Sequence, residues 1–288
     1  MAKSVKPAWL RRPIPNAAAL ADMKGLMDGL QLHTVCESAH CPNQGDCFAR
    51  KTATFMILGD VCTRNCRFCA VKHGQPGPPD AHEPEHIVSA VTKLGLKYVV
   101  VTSVTRDDLP DGGAYQFAEV VEAIRAYDPE IATEVLIPDF QGSLSALEVV
   151  IAGRPSVLNH NVETVPRLYP QVRPQADYER SVHLLAQAKS MGGGILTKSG
   201  LMVGLGEQYE EIIKVMEDLR AVDCDFLTIG QYLQPAKDRH EVVRFVPPEE
   251  FEEYKKAGLA MGFLGVASAP YVRSSFQADK MFGNNREK

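Results

Sequence analysis

The sequence predicts an α/β protein built as a partial (βα)6 barrel, and two periodicities predict it. Short apolar, β-branched runs recur at Thr54–Gly59, Tyr98–Thr102, Ile131–Leu136, Val157–Val162, Leu201–Val203 and Phe226–Ile229. After each comes a segment with apolar residues at helical spacing: Glu85–Leu94, Ala114–Tyr127, Leu144–Ile151, Tyr178–Met191, Tyr209–Val222 and Glu249–Met261. Short buried strands alternating with helices of this length indicate parallel βα units. Six units are too few for a closed eight-stranded barrel and fit one open on one side. Loops at the carboxyl ends of the strands then form the active face.

Residues 1–50 read as an extension, opened by Pro7, Pro13 and Pro15. Leu20, Met23, Leu26, Met27 and Leu30 place a helix over Ala17–Leu30. Cys36, Cys41 and Cys47 follow, with turn-forming Pro42, Asn43 and Gly45 between them. Residues 51–265 carry the barrel. Its first strand leads into Cys62-Thr63-Arg64-Asn65-Cys66-Arg67-Phe68-Cys69. After the second strand, Thr102, Ser103 and Asp107 precede Gly112 and Gly113. That loop either lets backbone amides approach a ligand or is a plain turn with an Asp cap. Glu134 lies inside the third strand, where burial demands a partner: a ligand contact or a structural ion pair. The fourth strand runs into Asn159-His160-Asn161-Val162-Glu163-Thr164, a polar stretch costly in a core and suited to a site. Arg173 is a candidate anion clamp. Thr197–Glu207 forms the fifth strand and its exit, with Lys198 within it and Gly204 and Gly206 either admitting a flat ring against backbone or forming a plain glycine-rich turn. Tyr232, Gln234 and Pro235 close the sixth strand, and residues 266–288 form a polar tail. No internal repeat or low-complexity linker divides the chain.

At 288 residues, with 45% hydrophobic and 23% charged residues, the composition is that of a globular enzyme. A net charge of −5 offers no basic footprint for nucleic acid. No apolar run approaches the roughly 20 residues of a membrane span, and no signal-peptide core follows Lys3, Lys6, Arg11 and Arg12. Six of the seven cysteines fall in two tight triplets, which reads as metal binding in a reducing compartment rather than as disulfides. The seventh, Cys224, sits at a helix-to-strand junction as a small core residue.

Cys62, Cys66 and Cys69 supply three thiols from one loop. Three ligands suit a cubic iron–sulfur cluster whose fourth iron stays open to another molecule. A structural zinc site would need a fourth ligand, and the nearest candidate, His73, falls at no regular offset. The Cys36 triplet implies a second cluster.

Cys62-x3-Cys66-x2-Cys69 resembles the radical S-adenosylmethionine (SAM) enzymes, in which SAM chelates the open iron. Adding Cys36-x4-Cys41-x5-Cys47, the Arg106–Ala114 loop, Asn159–Glu163, Thr197–Glu207 and Arg273-Ser274-Ser275, the chain resembles the lipoyl synthase family from about Pro13 to Ala278. The resemblance implies a radical SAM fold and two 4Fe–4S clusters. Cys62, Cys66 and Cys69 would hold the SAM-binding cluster. Cys36, Cys41, Cys47 and a tail serine would hold an auxiliary one that supplies sulfur, with Ser275 assigned and Ser274 the alternative. SAM or substrate contacts are expected among Thr102, Ser103, Asp107, Glu134, Asn159, Asn161, Arg173, Lys198, Gly204 and Glu207. Phe276 departs from the family's usual Tyr and removes a hydroxyl.

The implied reaction inserts sulfur at C6 and C8 of an octanoyl group carried on a protein lysine, with the auxiliary cluster adjacent to those carbons. Implied partners are octanoylated lipoyl carrier domains (the glycine cleavage H protein, acyltransferase subunits of 2-oxoacid dehydrogenases), docking over the open barrel face. An electron donor such as flavodoxin or ferredoxin and a cluster-repair carrier complete the set. Nucleic acid and membrane are not expected, a monomer suffices, and the cytoplasm is the expected location. Methylthiotransferases share the two triplets but append a basic module, and biotin synthase lacks the Cys36 triplet and the tail. A zinc-stabilised binding protein is the non-enzyme reading.

Overall fold

A computed structural model describes residues 6–12, 16–191 and 193–286; Lys3, Pro13 and Pro15 lie outside it. Helix α1 (Ala17–Gly29) begins at Asn16, whose side-chain oxygen accepts the Ala18 and Ala19 amides. Strand β1 (His33–Thr34) leads to two short helices, α2 (Val35–Ser38) and α3 (Gln44–Ala49), which carry Cys36 and Cys47.

The barrel opens with β2 (Thr54–Ile57). A small ladder of β3 (Val61–Cys62) and β4 (Lys72–His73) follows, in which exposed His73 stands opposite Cys62. Then come α4 (Glu83–Leu94), β5 (Tyr98–Ser103), α5 (Ala114–Tyr127), β6 (Ala132–Leu136), α6 (Leu144–Ala152) and β7 (Val157–Asn159). The short α7 (Tyr169–Val172) precedes α8 (Tyr178–Met191), β8 (Leu196–Val203), α9 (Tyr209–Ala221), β9 (Phe226–Gln231), α10 (Pro248–Ala260), β10 (Gly265–Ser268) and α11 (Ala278–Arg286).

The strand order is β1-β2-β5-β6-β7-β8-β9-β10. All pairs are parallel except β1–β2, where His33 stands opposite Met56 and Thr34 opposite Phe55. Six βα units from β2 to α10 make the open barrel. The strand the sequence reading did not assign, β10, extends it at the far edge. The fourth strand ends at Asn159 rather than Val162, and the fifth starts at Leu196, one residue before Thr197 and five before its apolar run at Leu201. Thr197, Lys198 and Ser199 are polar yet buried in the ladder, within the Thr197–Glu207 stretch read as the fifth strand and its exit, whereas the apolar run alone marks only Leu201–Val203.

One apolar core fills the space between sheet and helices, and buried Cys224 belongs to it. A second cluster joins Ala132, Val157 and Phe226, all at the amino ends of strands, to Phe282 of α11. Helix α11 therefore packs against the end of the barrel opposite its active face.

Two candidate cluster centres at opposite ends of the barrel

At the carboxyl end of β2 the chain turns sharply, with Leu58 at φ 67° and Gly59 at φ 89°. Buried Glu83, at the start of α4, accepts the Leu58 amide with both carboxylate oxygens (3.0 Å each), and Gln116 donates to the same carboxylate. This clamp aims the cysteine loop. The Cys62 sulfur accepts the amides of Arg64 (3.4 Å) and Thr105 (3.3 Å), the pattern that stabilises a thiolate ligand. Arg64, buried within the loop, makes a two-pronged pair with Asp107 (2.6 and 2.9 Å) and a third bond to Asp139 (2.6 Å). Burial pushes the Asp139 carboxyl up, but the Arg64 guanidinium outweighs it and holds the group at about 2. Burial pushes the Cys66 thiol up against the opposing charge of Arg173, and pushes Cys69 up to about 12. Over the loop, Arg239 donates to Asn65 (2.7 Å) and the His240 amide to the Arg67 carbonyl (2.8 Å).

Several expected contacts converge on this end. Arg173 reaches the carbonyls of Asn161 (3.0 Å) and Val162 (3.2 Å), and Asn161 donates to Glu163 (3.1 Å). Thr102 donates to the Leu136 carbonyl (3.0 Å). Ser103 Oγ, Asn159 Oδ1, His160 Nε2 and Arg173 Nε are buried without a hydrogen-bond partner. Four such orphans near the carboxyl ends of β5 and β7 are costly alone and fit a polar cofactor that would satisfy them.

Other expected contacts are already engaged. Both Asp107 oxygens are held by Arg64. Asp111 caps α5 through the Gly113 and Tyr115 amides, which is the plain-turn reading of that loop. Glu207 folds back onto the amides of Gly204 (2.6 Å) and Leu205 (2.9 Å), and Gly204 packs tightly against Gln231 and the Arg244 carbonyl. Glu134 is a structural ion pair inside the barrel: Lys198 (2.9 and 3.1 Å), Tyr98 (2.7 Å) and Asn159 (2.8 Å) all donate to it.

The Cys36 triplet sits at the other end. The Thr54 amide donates to Cys36, and burial pushes that thiol up to about 12. Cys36, Cys41, Cys47, Thr54, Arg273, Ser275 and Phe276 share the wall of a cavity of about 700 Å³, whose rim also includes the strand starts Tyr98 and Ala132. Ser275 Oγ accepts the Thr54 hydroxyl (2.7 Å) across 221 residues of sequence. Three free thiols and a serine around one cavity fit a four-iron cluster with a replaceable fourth ligand. The two triplets are thus separated along β2, whose four residues span about 10 Å. The barrel interior lies between the centres.

The sequence profile of the Radical SAM superfamily matches residues 56–219. The chain is 55% identical over 274 residues to the lipoyl synthase of Caldanaerobacter subterraneus, covering 95% of this chain and 96% of that one. It is 55% identical over 280 residues to the lipoyl synthase of Caldicellulosiruptor saccharolyticus, covering 97% and 98%.

The chain belongs to the lipoyl synthase family. Among solved structures it is similar in fold to HydG, a maturase of the FeFe-hydrogenase (TM-score 0.57, 15% identity, 86% of this chain and 62% of that one). It also resembles SuiB of Streptococcus suis (TM-score 0.54, 13% identity, 74% and 50%). Lipoyl synthase cofactors, SAM and two 4Fe–4S clusters, account for both cysteine triplets. The sequence reading missed Glu83, Asp139, Arg239 and Thr54. Arg64 was a signal for the second of these: an arginine inside a cysteine loop, once buried, needs carboxylates from elsewhere.

Proposed function

We propose that this chain replaces two C–H bonds of a protein-bound octanoyl-lysine, at C6 and C8, with C–S bonds to give the lipoyl group. Cys62, Cys66 and Cys69 hold the SAM-binding cluster, and Cys36, Cys41, Cys47 and Ser275 hold the auxiliary cluster. The observation that carries the reading is Ser275, brought by the tail to the cavity wall formed by the three N-terminal cysteines.

Unactivated C–H bonds have no acidity for a side-chain base to exploit, so the hard chemistry belongs to cofactors. When bound, these supply one-electron reduction, hydrogen-atom abstraction and sulfur. The protein's own residues bind and orient. Arg64, anchored by Asp107 and Asp139, fixes the Cys62 loop. Ser103, Asn159 and Arg173 offer the open polar atoms facing the SAM side. The Thr54 hydroxyl donates a hydrogen bond to Ser275 Oγ, an interaction that would strengthen with the serine deprotonated as a ligand. The choice of Ser275 over Ser274 rests on the same bonds: the Ser274 hydroxyl is used both as acceptor, from Asn159, and as donor, to Asn161.

The octanoyl group arrives on a lipoyl carrier domain of the H-protein or acyltransferase type, docking over the open barrel face. A flavodoxin- or ferredoxin-like donor supplies electrons, and a carrier protein rebuilds the auxiliary cluster. Residues 1–50, 51–265 and 266–288 act as cluster-bearing extension, barrel and ligand-bearing tail, working in the cytoplasm. No helix among the described residues is long and apolar enough to cross a membrane.

The test is iron and sulfide per chain in anaerobically purified protein. About eight irons are expected, falling to about four in Cys36→Ala/Cys41→Ala/Cys47→Ala. SAM cleavage should survive in that variant while sulfur insertion is lost. Four irons in both proteins would remove the auxiliary cluster and the proposal with it.

A further inference from the structure

The tail between β10 and α11 has no regular structure, yet it must deliver one hydroxyl to one place. Its backbone is pressed against β9: a Cβ on Gly230 would lie 2.0 Å from the Val272 carbonyl. Asn43 donates to the Tyr271 carbonyl (2.7 Å), and a single turn bonds the Phe276 amide to the Arg273 carbonyl. None of these contacts sets the direction of the two serine side chains.

We propose that Ser274 is the positioning residue of the tail, latched between Asn159 and Asn161, and that the buried Glu134–Lys198 pair exists to hold this latch in one orientation. Glu134 is an ionised acceptor fixed by Lys198 and Tyr98. Facing it, Asn159 can present only its amide nitrogen, because its carbonyl oxygen would be repelled by the carboxylate. The Asn159 nitrogen therefore donates both to Glu134 (2.8 Å) and to Ser274 Oγ (2.8 Å).

With its lone pair so engaged, Ser274 turns its own proton to Asn161 Oδ1 (2.9 Å). Asn161 then has its nitrogen free for Glu163 (3.1 Å). One buried charge thus sets the sense of every bond along the chain. Within this turn Ser274 reaches Asn159 and Asn161 while its neighbour Ser275 meets Thr54 at the cysteine wall, so fixing one hydroxyl constrains where the other lies. The pair is costly to bury, and a network that specifies one geometry is a reason to retain it.

The importance of the latch for sulfur insertion rests on Ser275 being the fourth ligand; the latch itself does not. Hydrogen exchange on the cofactor-free full chain tests it directly. Ser274→Ala is expected to speed exchange of the Phe276 and Ala278 amides by about tenfold or more while α4 and α5 amides stay unchanged. Glu134→Gln/Lys198→Met, which removes the directing charge and leaves Ser274 in place, is expected to do the same.

A second readout uses Cys62→Ala/Cys66→Ala/Cys69→Ala protein loaded with the auxiliary cluster alone, timing iron release to a chelator. Ser274→Ala should release iron faster, and Ser274→Ala/Ser275→Ala no faster than Ser275→Ala, since one residue acts through the other. Unchanged exchange in Ser274→Ala, or effects of the two serine variants that multiply, would overturn the latch. A chain that loads no auxiliary cluster would instead overturn the assignment of Ser275, while the exchange result would still stand.

Discussion

Glu134 and Lys198 are each 1% exposed, and their energetics are asymmetric. Glu134→Gln leaves a cation buried without its partner, and the expected loss is about 3–5 kcal/mol in urea unfolding of the cofactor-free chain. Replacing both with apolar residues of similar volume should recover most of that loss; no recovery would mean the damage is steric. His160 gives a second prediction at this scale. Burial, reinforced by the Arg173 charge, pushes its imidazole down to about 4. The folded chain therefore refuses a proton that the unfolded chain accepts below about 6.5. Stability from this residue is complete above that pH and falls by up to about 3 kcal/mol as pH drops towards 4. His160→Gln should show a shallower decline of the urea midpoint between pH 7 and 4.5 than the unsubstituted chain; parallel slopes would rule the effect out.

Among the elements, β8 shows what periodicity can and cannot reveal. Periodicity marks its apolar end, Leu201–Val203, and the sequence reading rightly places Thr197 in the strand, but the partners that let Thr197–Ser199 pair inside the barrel lie far away in sequence. Strand β10 was invisible for another reason: Gly265-Val266-Ala267-Ser268 is short and poor in residues that favour strands. The turn after β8 carries a prediction. Gly204 has φ 100°, and a Cβ there would lie 2.2 Å from Gln231 Nε2 and 2.5 Å from the Arg244 carbonyl. Gly204→Ala should cost about 3 kcal/mol by thermal unfolding, from backbone strain and overpacking together. A near-neutral result would show that Gln231 and the loop of Arg244 can move aside.

For the whole molecule, the main point is closure. The tail leaves the edge strand β10, crosses beside β9 and ends as α11 against the amino ends of the strands. Phe282 packs there with Ala132, Val157 and Phe226. Phe282→Ala should cost about 3 kcal/mol and loosen that end first, read as faster exchange of the Ala132 amide, which bonds to the Lys97 carbonyl. Unchanged exchange there would mean that α11 is not what closes the barrel.

The sequence by itself determined the fold class, the six βα units and the two cysteine triplets. These are local properties: helix and strand periods lie within a dozen residues, and three thiols in one loop converge whatever the rest of the chain does. Only the tertiary structure decided that the two cysteine triplets face opposite ends of the barrel, that Glu134 and Lys198 neutralise each other, and that Ser274 and Ser275 point to different partners. Each depends on contacts across long stretches of chain, 64 residues for Lys198 and Glu134, 115 for Asn159 and Ser274, 221 for Thr54 and Ser275. A side chain's local sequence does not encode which distant group it will meet; the packed barrel does.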